Sequence, residues 1–211
     1  MSILIGMPCY GGIVSDKTSL SLFNLGKALV RRNIDHGILV TANESLITKG
    51  RSTIANYFLY NTNFDYLFFL DSDIGFDAND VIKMYDYNLD MVSGPYPMKS
   101  IPLKWNYTIS NPRKSNPPLI TIDRIGIGFT LIHRKVFQRI IDKFGNNLKY
   151  IPSTSEIKSN IAYHFFSELY HENTFLPEDL SFFERAKQTD TTAWMDTSVK
   201  LVHVGSHVFK E

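Results

Sequence analysis

Two aspartates, Asp71 and Asp73, directly follow an unbroken apolar run, Tyr66 to Leu70. In an extended segment, residues i and i+2 point to the same side, so both carboxylates are expected to face one point. Hard anionic oxygen donors suit Mg²⁺ or Mn²⁺, which can bridge to a diphosphate. Asp-x-Asp is a weak motif by itself because chance also produces it. The alternative is that these aspartates cap a turn or the following helix.

A second acidic pair, Glu178 and Asp179, follows Pro177 at the start of a predicted helix. A carboxylate in this position could act as a general base or stabilise positive charge on a reacting ring. The alternative is structural, because acidic residues in the first turn of a helix interact favourably with its dipole.

Several basic residues could complete a charged site. His203 follows a predicted final strand and could join the aspartate pair as a metal ligand, with His207 as a competing candidate. Arg51 lies early in the predicted second helix, and arginine binds phosphate or carboxylate through a fork of donors. Lys99 follows a turn and could approach a phosphate. The alternative for each is an ordinary partly buried or solvated side chain.

Gly126-Ile127-Gly128 is not a dinucleotide-binding fingerprint, because Leu131 stands where the third glycine would be. These glycines are better explained by a tight turn or a close approach of the backbone. The sequence also contains neither the phosphate-binding loop motif nor the nucleophile elbow of the α/β-hydrolases.

The first half of the chain alternates strand and helix patterns. Strands are predicted over 2–7, 37–40, 66–70 and 91–93, and helices over 18–32, 46–60 and 79–87. This order predicts an α/β fold, with a mainly parallel sheet and helices on both faces. Such sheets bind ligands at the carboxyl ends of their strands. Residues 8–12, 41–44, 71–73 and 94–99 are expected at that edge.

The second half is less regular. Residues 99–118 are polar and proline-rich, and predict a long excursion. Strands are expected over 119–122 and 129–133, helices over 135–144 and 177–188, a loop over 145–160, and a final segment over 194–204. Because no repeat or linker is visible, we expect one domain over residues 1–211.

Composition limits the classes of function. Of the 211 residues, 44% are hydrophobic and 20% are charged, which excludes extended disorder. The net charge of +1 argues against nucleic acid as a main partner. Cys9 is the only cysteine, which excludes an internal disulfide and a cysteine-rich zinc site. The single cysteine suits a reducing compartment, and no apolar run approaches the length of a membrane span, so we expect a cytoplasmic protein.

The order of the sequence blocks is more specific than any single block. They are Pro8-Cys9-Tyr10-Gly11, Asn43-Glu44-Ser45-Leu46-Ile47, Arg51-Ser52-x-Ile54-Ala55-Asn56, Phe69-Leu70-Asp71-Ser72-Asp73, Gly94-x-Tyr96-Pro97-x-Lys99, Ile125-Gly126-x-Gly128-Phe129, Glu178-Asp179-x-x-Phe182, Trp194-x-Asp196 and His203-Val204-Gly205. This series resembles the metal-dependent nucleotide-sugar glycosyltransferases of the GT-A fold. It is most similar to the small glycosyltransferase domains of large algal viruses that glycosylate the capsid protein.

The resemblance implies a donor-binding and metal-binding half over 1–99 and an irregular acceptor-side half over 100–211. It implies a UDP-sugar donor, a glycan or glycoprotein acceptor, and Mn²⁺ or Mg²⁺ as cofactor. For a viral protein, the expected location is the cytoplasm of the host. The implied metal ligands are Asp71, Asp73 and His203. The implied donor-binding residues are Pro8, Tyr10, Arg51, Asn56, Asp71 and Lys99. Glu178 and Asp179 would be catalytic, and Gly126 and Gly128 would border the acceptor.

One departure from the family pattern leaves a question open. Many relatives have Ala-Arg-Asn in the second helix, whereas Arg51 and Asn56 are separated here. Which of the two contacts the donor is therefore undecided by sequence, as is the choice between inversion and retention at the transferred sugar. Three rival functions are open. One is a phosphatase of the haloacid dehalogenase type, with Asp71 as nucleophile. The others are transfer of a nucleotide to a sugar phosphate, although the glycine-rich and basic N-terminal signature of those enzymes is absent, and a non-catalytic module that binds sugars or nucleotides.

Overall fold

The computed structural model of the protein describes residues 2–110, 113–152 and 157–205. The helices are Asp16–Arg31 (α1), Ile47–Asn61 (α2), Ala78–Asp86 (α3), Arg134–Leu148 (α4) and Glu178–Lys187 (α5). The strands are Ile3–Cys9 (β1), His36–Ala42 (β2), Tyr66–Leu70 (β3), Ile74–Gly75 (β4), Met91–Ser93 (β5), Tyr107–Ile109 (β6), Ser115–Asn116 (β7), Leu119–Ile125 (β8), Phe129–His133 (β9), Lys149–Tyr150 (β10), Ala162–Tyr163 (β11), Leu169–His171 (β12), Thr174–Leu176 (β13), Trp194–Asp196 (β14) and Val202–His203 (β15).

The central sheet has the strand order β2-β1-β3-β9-β5-β14-β8-β6, with β7 beside β8. Strand β1 is parallel to β2 and β3, and β5 is parallel to β14. Strand β9 is antiparallel to both of its neighbours, so β3 and β5 still point the same way. The prediction of a mainly parallel α/β sheet is confirmed, but the insertion of β9 between β3 and β5 was not predicted.

Helices cover both faces of the sheet, as predicted. On one face, Leu25 and Leu29 of α1 pack with Val81 and Met84 of α3. On the other face, the core is built from α2, α4 and α5, with Phe58, Phe137 and Phe182 among its fully buried side chains. Burial of this apolar surface is the main stabilising contribution to the fold.

The inserted strand has a direct consequence for the sheet edge. Because Leu70 pairs with Phe129, the start of β9 lies beside the end of β3. The backbone N–H of Asp71 donates to the carbonyl oxygen of Gly128 at 2.9 Å. The glycine loop and the aspartate motif, which are far apart in sequence, therefore meet at one place.

Differences from the expected elements are concentrated in the second half. The excursion contains the short strands β6 and β7, and strand β8 continues to Ile125. Helix α4 extends to Leu148, and β10 follows it where a loop was expected. Among the described residues, no helix is long and apolar enough to cross a membrane.

Arg134 fixes the end of helix α2 and therefore the position of the residues that this helix carries. Its guanidinium lies over the Phe58 ring at 4.2 Å. It also donates at 2.8 to 3.1 Å to four carbonyl oxygens, those of Phe58, Leu59, Thr62 and Phe64. Carbonyls at the end of a helix have no partner within it, so this single side chain satisfies several of them.

Replacement of Arg134 by Met should lower the free energy of unfolding by about 2–4 kcal/mol, because partly buried carbonyl oxygens lose their donor. Arg139 on the same helix is a matched control, since its side chain is 41% exposed and pairs with Asp90. Arg139→Ala should cost at most about 1 kcal/mol. Urea unfolding measures both, and equal effects of the two substitutions would contradict this role of Arg134.

Candidate functional site

Charged side chains from five parts of the chain meet at the carboxyl edge of the sheet. Asp71 follows β3, Arg51 comes from α2, and Glu178 begins α5. Beside them, Asp73 contacts Lys99 and His203. The structure therefore divides the predicted site residues between two neighbouring clusters, which we call the arginine cluster (Arg51, Asp71, Glu178 and Asp179) and the Asp73 cluster (Asp73, Lys99 and His203).

The arginine cluster is centred on the buried Arg51, whose side chain is 6% exposed. Its Nη2 atom lies 3.0 Å from Oδ1 and 3.3 Å from Oδ2 of Asp71. Its Nε atom is 3.8 Å from a carboxylate oxygen of Glu178. Burial lowers the pKa of Arg51, but the surrounding acids, Asp71 first, outweigh it and raise the pKa overall. Arg51 is therefore a permanent positive charge at the sheet edge.

Arg51 also has unused donors. Its Nε and Nη1 atoms are buried and have no hydrogen-bond partner among the residues that the structure describes. Buried donors of this kind normally find a partner, and an unpartnered one destabilises the protein. An oxygen-rich anion at the site would satisfy them.

Asp73 lies between two basic side chains. One carboxylate oxygen is 2.5 Å from the Nζ of Lys99, and the other is 3.5 Å from the Nε2 of His203. Burial raises the pKa of Asp73, but the hydrogen bonds with His203 and Lys99 outweigh it and hold the pKa at about 2. Asp73 is thus an ionised carboxylate throughout the physiological pH range.

Strand β15 brings His203 to this position by pairing with β4, where His203 lies opposite Ile74. The Nδ1 of His203 is 2.8 Å from the carbonyl oxygen of Pro97. Because a carbonyl only accepts, Nδ1 carries the hydrogen and Nε2 is directed at Asp73. Hydrogen bonding to Asp73 raises the pKa of His203 against the opposing effect of burial.

The expectation that Asp71 and Asp73 face one point is wrong. Residues 72 and 73 form a turn, and the N–H of Ile74 donates to the carbonyl oxygen of Asp71. The extended geometry that the prediction assumed ends at Leu70, so the two carboxylates face different partners. Neither is the cap of α3, since Asp77 accepts a hydrogen bond from the N–H of Asn79 there.

Of the three predicted metal ligands, only Asp73 and His203 therefore lie together in a position to bind a divalent cation. Asp73 offers a carboxylate oxygen, which suits Mn²⁺ or Mg²⁺, and His203 offers an imidazole nitrogen, which suits transition metals more generally. Asp71 is directed at Arg51 instead. Within residues 2–110, 113–152 and 157–205, no three His, Cys, Asp or Glu side chains form a group that could hold a metal. The competing candidate His207 lies outside the described residues.

Glu178 and Asp179 begin helix α5 immediately after Pro177. Burial and the neighbouring Asp179 raise the pKa of Glu178. Burial also raises the pKa of Asp179, although its Oδ1 accepts a hydrogen bond from the N–H of Leu180 at 2.7 Å. Carboxylates with raised pKa values are stronger bases than exposed ones, which is the property that a general base needs.

The two glycines of the β8–β9 connection allow the backbone to pass very close to the clusters. A Cβ atom on Gly128 would overlap the carboxylate of Asp71, and one on Gly126 would overlap the hydroxyl of Tyr96. The predicted close approach at these glycines is therefore present, and it is an approach to the side chains of the site itself.

Sequence reasoning missed two residues beneath this loop. The Tyr96 hydroxyl accepts a hydrogen bond from the N–H of Gly128 at 3.3 Å. Burial raises the pKa of Tyr96, and the negative charge of Asp71 adds to this effect. Asn106 accepts a hydrogen bond from the N–H of Tyr96 through its side chain. Tyr96 was visible as part of a sequence block, whereas Asn106 lies in the excursion, where no pattern marks it.

Pro8 and Tyr10 lie at the carboxyl end of β1. They border a cavity of about 170 Å³ between this strand and the start of α2, whose lining also includes Thr41, Glu44 and Gly50. Tyr10 is 78% exposed, so its ring is accessible to a ligand. Pro8 and Tyr10 are two of the residues that the resemblance assigns to the nucleotide, whereas Arg51, the third, does not line this cavity.

Asn56 is not part of this edge. It is fully buried, and its amide nitrogen donates to the carbonyl oxygens of Ser52 and Tyr163 at 2.7 and 2.8 Å. Its amide oxygen accepts from the N–H of Tyr163 at 2.9 Å. The structure thus corrects the assignment of Asn56 to the donor site. Of the two residues left open by sequence, Arg51 is the one that faces the carboxylates.

No protein-family model matches the sequence, and no curated protein matches it. Solved structures with a similar architecture include a glycosyltransferase catalytic domain, and the mixed α/β fold is consistent with a Rossmann-like fold of the GT-A type. One is the catalytic domain of Drosophila β1,4-galactosyltransferase 7 in complex with xylobiose, at a TM-score of 0.51 and 15% identity, covering 98% of this chain and 72% of that one. Another is A197 from STIV, at a TM-score of 0.56 and 20% identity, covering 98% and 87%.

A glycosyltransferase involved in glycosylation of the major capsid of PBCV-1 is a weaker match, at a TM-score of 0.32 and 11% identity, covering 74% of this chain and 73% of that one. At these identities the likeness to the first two structures is one of fold alone, and the third match carries no argument. The function must therefore be argued from the residues of this chain.

Substitution of Gly128 by Ala should force the Asp71 carboxylate away from Arg51 and leave the buried guanidinium without its main partner. We expect a loss of about 1–3 kcal/mol in the free energy of unfolding. Gly26→Ala in α1 is the matched control, because a Cβ there has nothing within 4 Å. It should leave stability unchanged or slightly increased. Urea unfolding measures both, and a Gly128→Ala protein as stable as the parent would contradict this packing.

Proposed function

We propose that the protein is a metal-dependent glycosyltransferase that moves a hexosyl or deoxyhexosyl group from a UDP-sugar to a glycan or glycoprotein acceptor. The observation that carries this proposal is the pairing of the two clusters at the carboxyl edge of the sheet. One provides an ionised carboxylate with an imidazole beside it, and the other provides a buried arginine next to carboxylates of raised pKa. The fold of glycosyltransferase catalytic domains is consistent with it.

The donor would lie across both clusters. A Mn²⁺ or Mg²⁺ held by Asp73 and His203 would neutralise charge on the leaving diphosphate. The unused N–H donors of Arg51 would bind diphosphate oxygens, and Lys99 would leave Asp73 to contact a phosphate once the carboxylate has another cation. The nucleoside would occupy the small cavity beside Pro8 and Tyr10.

The acceptor would approach from the side of the glycine loop formed by Gly126 and Gly128. Positive charge develops on the sugar ring as the diphosphate leaves, and the carboxylates of the arginine cluster would stabilise it. Asp179 is the proposed base that takes the proton of the acceptor hydroxyl, with Glu178 beside it. The sequence resemblance makes a viral capsid glycan one acceptor to test.

The geometry favours a transferase over the phosphatase considered above. A phosphatase nucleophile must have an accessible carboxylate oxygen, but both oxygens of Asp71 lie within 3.3 Å of Arg51. This ion pair also lowers the nucleophilicity of the carboxylate. Of the remaining rivals, a binding module differs from a transferase in having no turnover.

Thermal unfolding with UDP and a panel of UDP-sugars tests donor and metal together. Mn²⁺ with a saturating nucleotide should raise the midpoint by several degrees, since a ligand at about 100 times its Kd adds about 2.7 kcal/mol. EDTA or Asp73→Asn should abolish the shift, while Asp16→Asn, an exposed control, should retain it. A response to inorganic phosphate or free glycans but not to nucleotides would contradict the transferase.

Asp179→Asn should reduce turnover by about 10²–10⁴-fold while donor binding is retained, because the amide cannot accept the proton. In the parent protein, activity should rise with pH as Asp179 ionises. Because the pKa of this group is raised, that rise should lie above the ordinary aspartate range. The exposed Glu172→Gln is the control. Normal turnover by Asp179→Asn would exclude it as the base.

A further inference from the structure

A second cavity of about 560 Å³ lies beside α2, on a different face from Arg51. Lys49, Thr53 and Tyr57 line it, and their spacing of four residues puts them on one face of the helix. Arg51 projects from another face, toward Asp71. We call this space the α2 cavity, and the residues that define it are Thr41, Glu44, Thr53, Tyr57, Tyr150 and His164.

The far wall of the α2 cavity is held in place by backbone pairing. Strands β10 and β11 pair Tyr150 with Ala162, and the two hydrogen bonds between Asn56 and the backbone of Tyr163 join β11 to α2. The N–H of His164 donates to the carbonyl oxygen of Leu148 at 2.9 Å. The buried Asn56 thus has a role in the structure, which is to position this wall.

The wall presents aromatic surface. The rings of Tyr150 and His164 are stacked, with centroids 4.0 Å apart and an angle of 22° between their planes. Burial lowers the pKa of His164, so its imidazole is neutral at pH 7. Tyr57 contributes a third ring from the helix side. Flat, uncharged rings of this kind pack against the apolar face of a sugar.

The opposite side of the cavity is polar and has an unmet hydrogen bond. The Thr41 hydroxyl oxygen is buried and has no partner among the residues that the structure describes. Glu44 contributes a carboxylate that lies 2.5 Å from the Nζ of Lys49. Because this acid and this base neutralise each other, the cavity offers hydrogen bonds without a net charge.

We propose that the α2 cavity binds a neutral glycosyl unit, at a site separate from the one where sugar is transferred. A pyranose has an apolar face for the aromatic wall and hydroxyl groups for Thr41 and Glu44. The paired charges disfavour an ionic ligand, and the buried hydroxyl disfavours a purely apolar one. The inference rests on the proposed function to the extent that such a unit would belong to an acceptor or product glycan.

A glycan held in the α2 cavity would remain near the sheet edge during and after transfer. Binding at this second point raises the effective concentration of the glycan at the transfer site, without any new contact at the reacting atoms. The cavity volume lies in the range of small-molecule sites, about 300–1,000 Å³. The main competing occupant is the nucleoside of the donor, because Thr41, Glu44 and Gly50 also line the small cavity beside Pro8.

Saturation-transfer NMR with simple glycosides tests the proposal. The probes are the methyl glycosides of glucose, galactose, mannose and fucose, at millimolar concentrations, with uridine and UDP as competitors. At least one glycoside should bind the full chain, and saturating UDP should not displace it. Tyr150→Ala should weaken binding about tenfold or more, because it removes half of the aromatic wall. Tyr170→Ala, which alters a tyrosine that is 82% exposed, is the matched control and should have no effect.

Thr41→Val is the second variant, since it preserves shape and removes only the unpartnered hydroxyl. It should fold normally and bind the glycoside several-fold more weakly, which keeps the test valid if Tyr150→Ala is unstable. The proposal is overturned if no glycoside binds, if uridine or UDP displaces the glycoside, or if neither variant weakens binding. A midpoint shift with UDP in the absence of glycoside binding would leave the transferase proposal intact and remove only this one.

Discussion

The ion pair between the buried Arg51 and the half-buried Asp71 is the interaction on which the sheet edge depends. A guanidinium taken out of water is strongly destabilising unless it is paired, and loss of one partner of a buried pair costs about 3–5 kcal/mol. Helix α2 must therefore hold Arg51 at one fixed height above β3. Arg134 fixes the end of that helix, and the missing side chain at Gly128 leaves room for the Asp71 carboxylate.

The acids of the site are of two kinds. Asp73, beside Lys99 and His203, has a lowered pKa, whereas Glu178 and Asp179, half-buried together at the start of α5, have raised ones. Neighbouring carboxyl groups with pKa values displaced in opposite directions are suited to different roles in a reaction. In this site the ionised acid is suited to binding a cation, and the more basic acids are suited to accepting a proton.

Local patterns predicted the elements well but not their meeting points. The apolar run of β3 predicted a strand covered on both faces, and Tyr66 to Leu70 are all buried. The antiparallel insertion of β9 could not be predicted, because strand order is set by long-range pairing that leaves no local signal. The direction of the Asp73 side chain is set by the turn that follows Leu70. Arg51 and Asn56 lie on one helix, and only tertiary packing shows which of them faces the acids and which is buried against β11.

The short pairing of strand β15 affects how readily the Asp73 cluster opens to solvent, compared with the arginine cluster. Within the described part of the chain, which ends at residue 205, it joins β4 through two residue pairs, with one further backbone bond from the N–H of Val204 to the carbonyl oxygen of Asp73, whereas β1 and β2 share seven residue pairs. Short pairings open locally at a lower free energy than the core of a sheet. The imidazole of His203 can therefore separate from Asp73 in a sub-global opening that leaves Arg51 and Asp71 closed. Amide protection should then be lower along β15 than along β3, so that the two halves of one site exchange with solvent at different rates.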